Sequence, residues 1–256
     1  MNLRPLVLCA ALSASLAGCI INVNGAGMTS FDYHRQQQLI LDATQLQQLV
    51  AETGAGALTI EGVDGLREVR IEADIYGYDG AEPELSLVQE GEHAKLIANF
   101  DSFSRGSFTS GNSPYIDLVV KVPTNLKLML DDGSGNIEVR GVNAEMIITD
   151  GSGSITIDGA KTLTIDDGSG SIVLQNIDGD ISLTDGSGSI EIQRVNGDVS
   201  VHDGSGSIVI NHVAGLVTID DGSGGISVDN SKGLHIIESG SGDLSFDNIQ
   251  GPVTMD

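Results

Sequence analysis

Tryptophan is missing from the 256 residues, and all aromatics together make up 4%. A core of ordinary density must therefore be aliphatic, and 40% hydrophobic residues suffice to build one. Proline is scarce, at 5 residues against 34 glycines, which excludes a collagen-like chain. Basic residues are few: 12 Lys and Arg face 36 Asp and Glu, a formal charge of −24. Such a chain is repelled by nucleic acid and by anionic lipid headgroups, and attracts cations or basic partners. Only 2 cysteines occur, Cys9 and Cys19. The usual catalytic signatures are also missing. There is no G-x-S-x-G elbow, no H-E-x-x-H, and no Gly-Lys dipeptide of a P-loop beside the Lys-Thr of "GSITIDGAKT". The 5 histidines are scattered, and no carboxylate pair stands out among the acids. A non-enzymatic chain without a cofactor is expected.

What is present begins with an address. Arg4 precedes an apolar run from Leu6 to about Leu16, too short to span a bilayer and of signal-peptide proportions. It ends in Leu16-Ala17-Gly18-Cys19, which resembles the lipobox of bacterial lipoproteins. The resemblance implies cleavage after residue 18, lipid on Cys19, and a membrane partner reached through that lipid. With Ile20 following, the destination implied in a Gram-negative cell is the outer membrane. Cleavage removes Cys9 and lipidation consumes Cys19, so no thiol remains for a disulfide or for zinc. Residues 19–38 have no clear period and are read as a tether.

The dominant feature is a repeat. Asp-Gly-Ser-Gly begins at Asp132, Asp150, Asp167, Asp185, Asp203 and Asp221, and Ser-Gly-Ser-Gly at Ser239; the spacing is 18 residues except once, 17. A period so short is that of a solenoid. Within "DGSGSIVINHVAGLVTID", Ile208/Ile210 and Val217/Ile219 alternate with polar neighbours, the period of a strand. Val213 and its equivalents fit either a two-sided coil or a short third side. Gly179, Gly197, Gly215, Gly233 and Gly251 mark a second corner, where glycine is expected to supply positive φ. The fold class expected is all-β: a parallel β-solenoid of ~18-residue coils, right-handed by the general preference of parallel crossovers. Residues 132–256 form seven regular coils. Residues 39–131 form an irregular N-terminal capping part, with "ETGAGALTIEGVDG" as a worn copy and a hairpin near Gly91-Glu92.

The lipobox, "TGAGALTIEG" and the run of "DGSGSIxI" copies together resemble the bacterial putative-adhesin β-solenoid family, over roughly residues 39–256. The resemblance implies an adhesin-like or structural module of the cell envelope, with an envelope protein or a glycan as partner.

Two sites are candidates. The Asp column (Asp132, Asp150, Asp167, Asp185, Asp203, Asp221), with Asp131, Asp166 and Asp220 beside it, invites comparison with calcium-binding β-rolls. The position that supplies the carboxylate in their G-G-x-G-x-D-x-U-x repeat is held here by Ile155, Ile172, Ile190, Ile208 and Ile226, which cannot ligate a hard cation. The preferred reading is a turn: each Asp accepts backbone N–H groups two or three residues on, with weak cation binding as the alternative. Neighbouring acids ~4.8 Å apart repel by only about 1 kcal/mol in water. The other candidate is "NFDSFSRGSFTSGNSP", where Phe103 and Phe108 flank Arg105, a composition typical of binding hot spots. Capping of the core is the competing role for these rings. Finally, the last coil, "DLSFDNIQGPVTMD", has no cap sequence after it, so end-to-end strand pairing into homo-oligomers is a further expectation.

Overall fold

The computed structural model describes residues 20–22, 31–100 and 113–256. Every regular element in them is a β-strand. The alternation seen in the sequence becomes two parallel ladders. One stacks Leu58–Val63, Ile137–Arg140, Ile155–Ala160, Gly170–Ile177, Gly188–Val195 and the first halves of Gly206–Asp221 and Gly224–Glu238. The other stacks Gln48–Ala55, Lys127–Ser134, Glu145–Asp150, Thr162–Asp167, Ile181–Asp185, Val199–Asp203 and the second halves of the same two long strands. The inward columns, such as Ile172/Ile190/Ile208 and Leu183/Val201/Ile219, are buried and meet between the ladders in one aliphatic core. No coil could hide its inner face alone; each is covered by its neighbours.

The sequence left open whether the coil has a third side. It has a short one. At Asn176, Arg194, His212, Asn230 and Asn248 the backbone enters the left-handed region, with φ between 54° and 60°. The next residues, Ile177, Val195, Val213 and Ser231, pair from coil to coil and are buried. Positive φ is thus not supplied by the second-corner glycines, as expected, but three residues earlier. Gly197 is needed for space instead: a Cβ there would lie 2.4 Å from both the carbonyl carbon of Gly179 and Oδ1 of Asp180.

The N-terminal part is a cap built on two more coils. Strand His93–Phe100 pairs in parallel with Gln48–Ala55, and Tyr115–Pro123 with Leu58–Val63. The worn copy is therefore an interior coil. Antiparallel strands close the stack beyond it. Pro83–Glu90 forms the expected hairpin with His93–Phe100. Glu68–Gly77 lies on Tyr115–Pro123, and Tyr33–Asp42 on Glu68–Gly77. Residues 33–38, read from sequence as tether, belong to this strand. Its polar "YHRQQQ" hides no apolar alternation: Tyr33 packs half-buried against the core, and the buried residues of the strand are Leu39 and Leu41. Ile20–Asn22 pairs antiparallel with residues 35–37.

Candidate functional site: a buried file of carboxylates

The strand Ile181–Asp185 shows why the Asp column is not a surface feature. Ile181 and Leu183 point inward, and Asp185 is next in the same phase. All six aspartates follow this rule, with exposures between 4% at Asp132 and 0% at Asp221. The turn reading holds for one oxygen. Ser187 N–H donates to Asp185 Oδ1 at 3.2 Å, and Ser152, Ser169, Ser205 and Ser223 donate likewise to the acids two residues earlier, at 3.1–3.2 Å. Asp132 Oδ1 accepts the hydroxyl of Thr53, which holds the same column one coil earlier. The other oxygen is stranded: Oδ2 of every one of the six is buried with no hydrogen-bond partner.

This changes the energetics assigned from sequence. Partners in register, such as Asp167 and Asp185, lie one coil apart, ~4.8 Å. Out of bulk water, at an effective dielectric constant of about 20, two such charges repel by about 3.5 kcal/mol rather than about 1. Burial and mutual repulsion act together. Loss of solvation, then the charges of Asp132 and Asp167, pushes the Asp150 carboxyl up to about 6. Loss of solvation, then chiefly Asp167, raises Asp185 to about 6. Asp132, Asp167, Asp203 and Asp221 are raised as well, desolvation first. Each acid of the file therefore keeps its proton to a higher pH than an ordinary aspartate does.

As a calcium site the file is poor. Each coil contributes a single free Oδ2 facing an aliphatic core, whereas calcium takes six to eight oxygens. No group of three or more His, Cys, Asp or Glu side chains suited to a metal forms among the described residues. The repeated glycines give the corner no slack to rearrange. Gly188 has φ +152°, and a Cβ there would meet the carbonyl oxygen of Gly170 at 1.6 Å.

The other candidates fare differently. Cys19, Phe103, Arg105 and Phe108 lie outside the described residues. His202 is exposed and contacts Asp220 at 3.1 Å. His235, in a column apolar elsewhere by count, pairs with Thr218 while Leu234 takes the place beside Val217; the coil's corner is one residue shorter.

Sequence reading missed an aromatic cluster on the cap. The Tyr76 ring stacks on Tyr115 at 4.7 Å and on His34 at 4.3 Å, and Phe31 meets Tyr115 edge-on at 5.4 Å. The excess of aromatics before residue 116 was the only signal; which of them meet is set by antiparallel register, with His34 opposite Tyr76 and Tyr76 opposite Tyr115.

No protein-family model matches the chain. No curated protein matches it either. Its structural neighbours include bacterial proteins named as putative adhesins or as a putative cell adhesion protein. A putative adhesin from Parabacteroides distasonis aligns with TM-score 0.43 and 10% identity, over 86% of this chain and 97% of its own. A putative cell adhesion protein from Clostridium sporogenes gives TM-score 0.36 at 10% identity, over 87% and 98%. A protein described as a putative lipid binding protein, also from Parabacteroides distasonis, gives 0.38 at 16% identity, over 86% and 96%. Likenesses of this size transfer no ligand and no activity.

Proposed function

We propose that the chain is a non-enzymatic, adhesin-like binding module held at the cell envelope by lipid on Cys19. The observation that carries the reading is the uniformity of the coils. From Lys127 onward the two ladders run without an inserted loop, and the inward columns are filled. Such a body is a stiff spacer with a patterned surface, and the grooves on residues 180–252 are open ones, unlike the enclosed pockets in which catalytic pairs are assembled. The motif Leu16-Ala17-Gly18-Cys19 supports the anchor. Residues 20–256, immobilised, should retain envelope glycans or proteins saturably and release no product from glycan or peptide substrates. Turnover of either substrate overturns the reading.

A second reading is self-association through the apolar surface of Leu244–Asp247 and Val253–Met255. Phe246, Val253 and Met255 continue core columns yet are 42%, 39% and 52% exposed. Sedimentation at rising concentration should then show oligomers that a Phe246→Ser variant lacks; a monomer throughout removes this reading.

A further inference from the structure

Along the short third side, the left-handed corner recurs in seven coils. Gly141 and Gly159 hold it first, then Asn176, Arg194, His212, Asn230 and Asn248. Glycine and asparagine are the residues this conformation favours, so five of the seven choices follow from the backbone. Arg194 and His212 do not. They occupy successive coils, and both are exposed.

These two side chains line an open groove of about 470 Å³ together with Asn196, Asn230, Lys232 and Gln250. In a chain with 36 acidic residues, no carboxylate lines it. Arg194 and Lys232 have no ion-pair partner among the described residues. Arg194 is held by neutral oxygens only: Nε donates to Asn176 Oδ1 at 2.7 Å, Nη2 to Gln175 Oε1 at 2.7 Å and Nη1 to Gln193 Oε1 at 3.1 Å. Its charge is fixed in place with no carboxylate in direct contact; Asp158 and Glu191 lie one hydrogen bond further out, on Asn176 and Gln193. Of the apolar residues on the wall, Val195 and Val213 are buried and Ala214 is exposed, so the groove presents cationic and amide groups beside a small apolar surface. Amides hydrogen-bond hydroxyl groups, and guanidinium and ammonium pair with carboxylates. A peptide would want large apolar anchors to bury, and the one exposed apolar side chain on this groove is the Ala214 methyl.

We propose that this groove binds an acidic polysaccharide, with Arg194 and Lys232 on its carboxylates and Asn196, Asn230 and Gln250 on its hydroxyls. The proposal rests on the reading of the chain as a binding module and names the ligand class of one surface on it.

The test uses replacements the solenoid already carries in the same columns: Arg194→Asn and His212→Asn, as in Asn176 and Asn230, and Lys232→Ala, as in Ala214. Calorimetric titration of the chain with hexagalacturonate should show binding that weakens with salt, with none for neutral maltohexaose. The triple variant should unfold at the same temperature and bind about tenfold more weakly or not at all, the loss expected for two or three exposed ion pairs. Three results overturn the proposal: no binding of hexagalacturonate, equal binding of both sugars, or an unchanged affinity in the folded variant. If the chain and the variant retain envelope material equally, the groove assignment fails and the binding-module reading stands. A preference for acidic peptides over hexagalacturonate also overturns it, since the groove would then serve a protein.

Discussion

Replacing Asp185 with asparagine should make the protein more stable at neutral pH. Asparagine keeps an oxygen for the Ser187 N–H and removes the charge from the buried file. Its amide NH₂ takes the place of the stranded Oδ2 and can donate toward the neighbouring acids. The magnitude follows from the shift of the Asp185 carboxyl from 3.8 to about 6. An acid whose folded pKa is raised is stabilised in its neutral form. Its contribution is fully present below pH 3.8 and is lost as pH rises through about 6. Ionising Asp185 in the folded chain therefore costs about 3 kcal/mol by pH 8, at 1.36 kcal/mol per unit. The variant escapes that cost. For a chain of this size the gain corresponds to a rise in Tm of roughly 6–12 °C near pH 8. Near pH 4, where the wild-type carboxyl is already neutral, the two proteins should melt together. Thermal unfolding followed by circular dichroism across this range reads both effects. A variant less stable than wild type at pH 8, or wild-type stability that climbs between pH 5 and pH 7, would refute the reasoning.

Other perturbations separate the roles of single positions. Gly188→Ala drives a Cβ to 1.6 Å from a backbone oxygen that cannot move aside, so it should cost more than ~3 kcal/mol or block folding. Gly91→Ala, at φ +66° with nothing within 4 Å, should cost only about 1 kcal/mol in the same denaturant titration. Ser231 is 1% exposed and sits in the Ile177/Val195/Val213 column, with its hydroxyl donating to Gly233 O at 3.1 Å. Ser231→Val should raise stability by about 0.5–1 kcal/mol, because the gain in buried apolar surface exceeds the loss of one hydrogen bond. A loss in urea unfolding would mean that this bond holds the shortened corner. Ile192→Ala, fully buried at 0%, should cost 2–5 kcal/mol by unfolding, and hydrogen exchange should show the protection lost mainly in the coils next to it.

Most of the coil could be read from sequence because the inward columns repeat with a strand's period and are β-branched. The burial of the acids was legible too, although the residue type argued against it: Ile181, Leu183 and Asp185 share one phase, and the phase decides. The expected source of positive φ was wrong because asparagine, arginine and histidine adopt the left-handed turn without a glycine to advertise it. The second-corner glycines are explained by the close approach of the neighbouring coil, which no single repeat reveals. The tether was overextended at Tyr33–Gln38, since a stretch of strand that sends only Tyr33 to the core carries no apolar pattern. The aromatic cluster and the cation-lined groove depend on which coil or strand lies next to which. Arg194 and Lys232 are 38 residues apart in sequence, and only the stacking of coils puts them on one groove.

Each Asp-Gly-Ser-Gly corner turns its carboxylate into the core. Infrared titration of the carboxyl C=O stretch, with and without excess calcium, observes this directly. Protonated carboxyls should persist at pH ~5 and ionise as pH passes about 6, equally in calcium and in chelator, with a signal reduced in Asp150→Asn and Asp185→Asn. Complete ionisation by pH ~5, or a titration that calcium displaces, would place these acids in solvent or on a metal and would contradict their placement in the core.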